Sequence, residues 1–210
     1  MRSRIIAISV GVVLGATACS PLAPRPDDSK FFMLSPISTA SSGISTASYS
    51  QLALGIGPIS FPDYLRRLSV VTVTSPNQID LSPDKYWGEP LEKNFSRVLE
   101  ENLSELLNTQ QIEKYPWAHN VHIDYQVTVD VQRFDTGADG QSQLIARWMV
   151  KDGTTGKDLY ASETRCGAPA ASGEAGPSAA LSQNLATLSR DIASQIVQLS
   201  QLRSGTRADR

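Results

Sequence analysis

Histidine and cysteine are scarce in this chain, with two of each in 210 residues. That scarcity closes most routes to metal binding and nucleophilic catalysis. His119 and His122 stand three apart, one in a loop and one on a strand, with no cysteine or carboxylate at ligand spacing, so no metal site is expected. The chain has no G-x-S-x-G elbow and no H-E-x-x-H helix. Asp124 and Asp130 share a strand face but lie about 20 Å apart along it, too far for paired acid–base work. No catalytic residue and no cofactor are expected, and the chain does not read as an enzyme. Positive charge is also in short supply: 19 Lys and Arg stand against 21 Asp and Glu. Without a basic patch, nucleic acid is excluded as a partner, as is electrostatic docking on anionic lipid. Apolar runs are short, and none reaches the roughly 18 residues that a membrane span needs.

What the sequence does have is an export signal. Met1-Arg2-Ser3-Arg4 is basic, Ile5 to Ala16 is apolar, and small residues precede Cys19, the layout of a secretory leader. Two chemistries fit the junction. Cys19 can be acylated and become the first residue of an anchored protein, although Ala16 stands where such signals carry Leu. Ala16-Thr17-Ala18 also fits ordinary A-x-A cleavage, and a disulfide from Cys19 to Cys166 is a third arrangement. Lipidation of Cys19 is the expectation. Removing Arg2 and Arg4 with the leader leaves 17 basic against 21 acidic side chains, a net charge of about −4. If Cys19 carries lipid, Cys166 is alone and is expected to be a partly buried, inert thiol.

The pattern sets four regions: a signal peptide over 1–18, a lipidated N-terminus and proline-rich tether over 19–30, a single domain over 31–202, and a disordered tail over 203–210. Phe31 to Leu34, Gln51 to Ile59, Leu68 to Thr74 and Gln78 to Leu81 read as strands, the last ended by Ser82-Pro83-Asp84. Pro36 to Ser50 is a Ser/Thr-rich loop. The two glycines of Gly55-Ile56-Gly57 point to close backbone approach or a bulge. Leu91, Phe95, Val98, Leu99, Leu103, Leu106 and Leu107 form one helical stripe opened by Pro90. Glu89–Lys93 and Arg97–Glu101 stand at pairing distance. Val121 to Val131 alternates strictly, with a break at Arg133-Phe134 that predicts a bulge. Gln141 to Val150 and Leu159 to Cys166 complete a meander. Leu181, Leu185, Leu188, Ile192, Ile196 and Leu199 form a second helical stripe. The expected architecture is α+β: one mostly antiparallel sheet of about six strands, with two long amphipathic helices packed on one face.

Five aromatics, Tyr64, Tyr86, Trp87, Tyr115 and Trp117, fall in loops or at element edges. They either close the ends of the core or anchor a partner. Tyr64, Arg66 and Trp87 are the candidates for a partner interface.

Three stretches together resemble the ABC-type transport auxiliary lipoprotein family, which includes paraquat-inducible protein C, a membrane integrity-associated lipoprotein. They are Gly57-Pro58-Ile59 through Pro62-Asp63-Tyr64-Leu65-Arg66-Arg67; Trp87-Gly88-Glu89-Pro90-Leu91 running into Arg97-Val98-Leu99-Glu100-Glu101-Asn102-Leu103; and Tyr115-Pro116-Trp117 followed by the Val121 strand, Arg133-Phe134 and Leu144 to Trp148. The Ser/Thr-rich loop and the Ala/Gly-rich segment after Cys166 depart from the family pattern. The resemblance implies a non-catalytic role beside a mammalian-cell-entry (MCE) protein and its membrane permease, in a system that moves lipid across the periplasm. It implies a lipid anchor in the outer membrane, facing the periplasm. Ser20 agrees with this, because such signals avoid Asp after the cysteine. Since MCE proteins form rings, a homo-oligomer is a natural counterpart. The alternative is a periplasmic lipid-binding carrier, which needs a cavity. Replacing Cys19 by Ala is expected to move the protein out of the membrane fraction; unchanged fractionation would remove the anchor.

Overall fold

A computed structural model describes residues 28–38 and 49–208. The signal peptide, Cys19, most of the tether and most of the Ser/Thr-rich loop lie outside the described residues. The order of elements is β1 (Lys30–Phe32), β2 (Leu54–Ser60), β3 (Ser69–Ser75), β4 (Gln78–Trp87), α1 (Leu91–Leu107), β5 (Ile112–Lys114), β6 (Tyr125–Gly137), β7 (Gln141–Asp152), β8 (Asp158–Pro169) and α2 (Gly176–Ala208). The eight strands form one sheet.

β6 is the spine. One edge pairs antiparallel with β7 from Tyr125↔Asp152 to Thr136↔Ser142. The other edge is divided between two strands. β2 runs parallel to it from Leu54↔Tyr125 to Ser60↔Asp130, and β3 joins parallel only at Thr72↔Thr136 and Val73↔Gly137. β4 lies antiparallel against β3, and β8 antiparallel against β7. β1 and β5 are short parallel edges on β4 and β2. The long pairings are thus antiparallel, as expected, but parallel ones were not foreseen. They arise because β2 and β3 run the same way along one edge of β6, reached by long connections rather than hairpins.

The helical stripes do what their spacing predicts. Phe95, Val98, Leu99, Leu103 and Leu107 of α1 are fully buried, as are Leu185, Leu188, Ile192 and Ile196 of α2. The helices touch each other; α2 also lies against β6, β7 and β8, and α1 against β2. Phe95 sits at the centre, edge-on to Phe61 at 5.1 Å and to Phe134 at 5.2 Å between ring centroids, the geometry that aromatic quadrupoles favour. Asn108, with φ 50°, closes α1 in the left-handed region, where asparagine is tolerated.

Several boundaries differ from the sequence reading. Pro90 is the residue before α1 rather than inside its first turn. Glu89 is therefore off the helix, and it pairs with Arg97 at 3.1 Å instead of Lys93. β4 continues through Pro83 to Trp87, because the β3 ladder skips from Leu81 to Tyr86 and asks no N–H of the proline. β6 starts at Tyr125: Asp124 instead uses its backbone N–H and its carboxylate to hold Ala53. The bulge between Val131 and Arg133 stands where the alternation breaks. β5, three residues long, is too short to show a period. α2 runs on to Ala208, past the point where the domain was expected to end.

Buried polar side chains tie the chain's first described segment to the helices. Leu34 N–H donates to Asn94 Oδ1 (2.6 Å), and Ile37 N–H donates to Asn102 Oδ1 (2.9 Å). Asn102 Nδ2 donates to Ser189 Oγ of α2 (3.0 Å). Both asparagines are fully buried, so these amides act as a strap holding residues 34–37 across α1 and α2. Asn94→Ala orphans the buried Leu34 N–H. It is expected to cost about 1–3 kcal/mol, read as a lower urea midpoint at unchanged slope.

Candidate interaction surface

Between Asp130 and Thr136, β6 has no strand partner on its divided edge. The chain fills the gap with residues 61–68. Phe61 and Leu65 point into the core, at 5% and 3% exposure. Between them lies a 3₁₀ turn, Asp63–Leu65, preceded by Pro62 and closed by Leu65 N–H to Pro62 O (3.0 Å) and Arg66 N–H to Asp63 O (3.1 Å). Tyr64 OH donates to Asp135 Oδ2 (2.8 Å), and Arg133 Nε donates to Asp135 Oδ1 (3.0 Å). Asp135 is buried at 2% exposure. A buried carboxylate is costly unless hydrogen-bonded and charge-paired, and here the phenol and guanidinium supply both. Burial, and then the hydrogen bond to Asp135, push the Tyr64 phenol far above its ordinary range.

The sequence-nominated residues separate here. Tyr64 is half-buried and locks the turn to β6. Arg66 is exposed, 3.5 Å from Asp63 and 3.7 Å from Glu92 at the start of α1. Such pairs add little stability, so its guanidinium is available at the surface. Trp87 is corrected: at 5% exposure it belongs to the core. The lengthened β4 carries it inward, and a buried indole offers a partner no surface. Arg133 and Asp135, which complete the lock, were missed. The flip in alternation at Arg133-Phe134 was the available signal.

Tyr115 and Trp117 meet edge-on at 5.5 Å. They lie over β2, where a Cβ on Gly55 would come within 2.6 Å of the Trp117 ring and one on Gly57 within 2.9 Å of Tyr115 Cβ. Gly57 also has φ +114°, and the β2–β6 register shifts between Ile56 and Ile59. Both close approach and a bulge are therefore present. Beside this, a groove of about 600 Å³ opens on Pro58, Ser60, Asp130, Arg147, Met149 and Glu163. Asp130 accepts from Ser60 Oγ (2.6 Å), and Glu163 pairs with Arg147 (3.2 Å) and Arg165.

The remaining titratable groups are structural or solvated. His122 Nε2 is 3.2 Å from Asp124 Oδ1, with its side chain largely exposed. Cys166 is free and half-buried, with Sγ 3.6 Å from Asn184 O. Burial, helped by the charge of Asp191, pushes its thiol up to about 11, the opposite of what a nucleophile needs. Among the described residues, no group of three or more His, Cys, Asp or Glu is placed to hold a metal.

The model of the ABC-type transport auxiliary lipoprotein component family matches residues 32–193. The chain belongs to this family. The family is one of transport auxiliary lipoproteins rather than a known enzyme family, and membership implies membrane association and a transporter partner. No curated protein matches the chain by sequence. A solved but uncharacterized protein is similar to it at 20% identity and TM-score 0.65, covering 80% of this chain and 98% of that one. Protein XCC0632 from Xanthomonas campestris is similar at 12% identity and TM-score 0.70, covering 84% and 99%. At these identities the likeness is one of fold.

Removing the phenol tests the lock. Tyr64→Phe strips Asp135 of a donor and is expected to cost about 1–3 kcal/mol in urea unfolding. Because the folded phenol is raised above its unfolded value, its contribution is complete below about pH 10 and declines above it, as the unfolded tyrosine ionises. The fall in stability above pH 10 should be shallower in Tyr64→Phe than in wild type.

Proposed function

We propose that this protein is the lipid-anchored periplasmic auxiliary subunit of an MCE-type envelope lipid transport system. It is acylated on Cys19, sits at the outer membrane, and acts by contact with the MCE protein and its permease rather than by chemistry. Its single domain runs from β1 through α2, with both helices on one face of the sheet and much of the other face left to partners. The observation that carries this reading is the turn over residues 61–68: buried Phe61 and Leu65 and half-buried Tyr64 hold it rigid while Arg66 stays exposed at its surface. Rigid presentation of an exposed Arg suits an interface hot spot. Homo-oligomerisation to match a ring-shaped partner belongs to the same reading.

The carrier alternative finds less support. The space between helices and sheet is occupied by Phe95, Phe134, Leu99, Leu185 and Leu188, each at most 1% exposed, so a lipid would have to displace the core itself.

Arg66→Ala is expected to weaken pulldown of the MCE partner at least about tenfold, the loss of one charged hot-spot contact, while shifting the melting temperature by no more than a degree or two. Intact pulldown would remove this turn from the interface.

A further inference from the structure

Exposed large apolar side chains are unevenly spread. Of the nine among the described residues, five — Phe31, Met33, Leu68, Ile79 and Leu81 — belong to or flank β1, β3 and β4. The inward side of this edge is set by Phe32, Val70 and Trp87, which line a small space with Pro177, Ser178 and Leu181 of α2. Alternation turns Phe31 and Tyr86 the other way. They are cross-strand partners, with ring centroids 5.9 Å apart. Tyr86 pairs with Ser69, and the alternate β3 positions Val71 and Val73 pair with Leu81 and Ile79. One outward face therefore carries Phe31, Tyr86, Leu81 and Ile79, with Phe31 68% exposed, Leu81 44% and Ile79 38%.

We infer that this outward face of the β1–β4–β3 edge docks on a lipid surface. The inference rests on the proposed acylation of Cys19. The twelve residue steps from Cys19 to Phe31 span at most about 40 Å, so β1 is the element of the domain nearest the anchor along the chain. Lys30 pairs with Glu174 and Lys85 lines the inward space, so attraction comes from apolar insertion and interfacial aromatics rather than charge. Four side chains on two strands are also few beside the roughly 20–30 residues per side of a stable protein interface. A weak membrane contact, made effective by the covalent anchor, is what a patch of this size can support.

The test uses the full chain purified from membranes and reconstituted in vesicles of phosphatidylethanolamine and phosphatidylglycerol, with a diazirine in the acyl chain. Photolabelling is expected on the peptides holding Phe31 and Ile79 to Tyr86. It should fall at least about tenfold in Phe31→Ser/Leu81→Ser, from the lost apolar burial, at unchanged melting temperature. Ile79→Ser alone should give a smaller fall, and it serves if the double variant does not fold. Labelling confined to other surfaces, such as Leu202 or the Ala138–Gly140 turn, overturns the inference, as does no labelling at all. A concentration-dependent dimer of the chain in solution that Phe31→Ser/Leu81→Ser abolishes also overturns it, in favour of a second copy as occupant. The intact mass separates the two readings. A chain without acyl mass defeats the anchor alone, and docking then stands or falls on whether the same peptides label when the unanchored chain is mixed with the vesicles.

Discussion

The fold depends on a division of one strand edge. β6 is thirteen residues long, and the two strands that share its outer edge leave its middle without a partner. An unpaired stretch inside a sheet must be covered, because its backbone groups and side chains would otherwise be buried without satisfaction. Residues 61–68 cover it. They place Phe61 against Phe95 and Tyr64 on Asp135, and in doing so lift Arg66 to the surface. The bulge between Val131 and Arg133 lies in the same gap, and it turns Asp135 toward the tyrosine. Core packing, the buried carboxylate and the presented turn are thus one solution to one geometric problem.

The polar and ionisable groups inside the domain are engaged with one another. Asp135, the most deeply buried acidic group, is held by a phenol and a guanidinium and has no open side for a substrate. Cys166 is made less acidic by its surroundings. Polar groups inside the domain, Asn94, Asn102, Asn184 and Ser189, are spent on joining segments to each other. A module built this way holds surfaces in fixed relation, which is what an auxiliary subunit of a transporter must do.

Legibility in the sequence followed length and periodicity. α1 was legible along its length, because seven apolar positions repeat along it, although its first turn opens after Pro90 rather than at it. The inward set of β6 was legible from Tyr125 to Val131 for the same reason. Strand direction was not: Leu54 and Ile56 alternate identically whether β2 runs parallel or antiparallel to β6. Trp87 misled because the Ser-Pro-Asp run before it has turn chemistry, while its strand passes through an interruption in the ladder. The Tyr64–Asp135 pair escaped because no local pattern joins residues that meet only in the folded sheet. Arg66 was visible as an exposed charge beside a proline turn, a signal that needs no long-range information.

The separation of the paired residues carries a kinetic consequence. Tyr64 and Asp135 stand 71 positions apart, and β2 and β3 are comparably far from the strand they join. A chain crossing a membrane amino terminus first emerges with β2, β3 and α1 before their template exists. Their apolar faces have nowhere to go until β6 and its hairpin with β7 follow. High contact order of this kind slows folding and prolongs exposure of sticky intermediates. Holdase protection therefore matters most for the first hundred or so residues of such a domain.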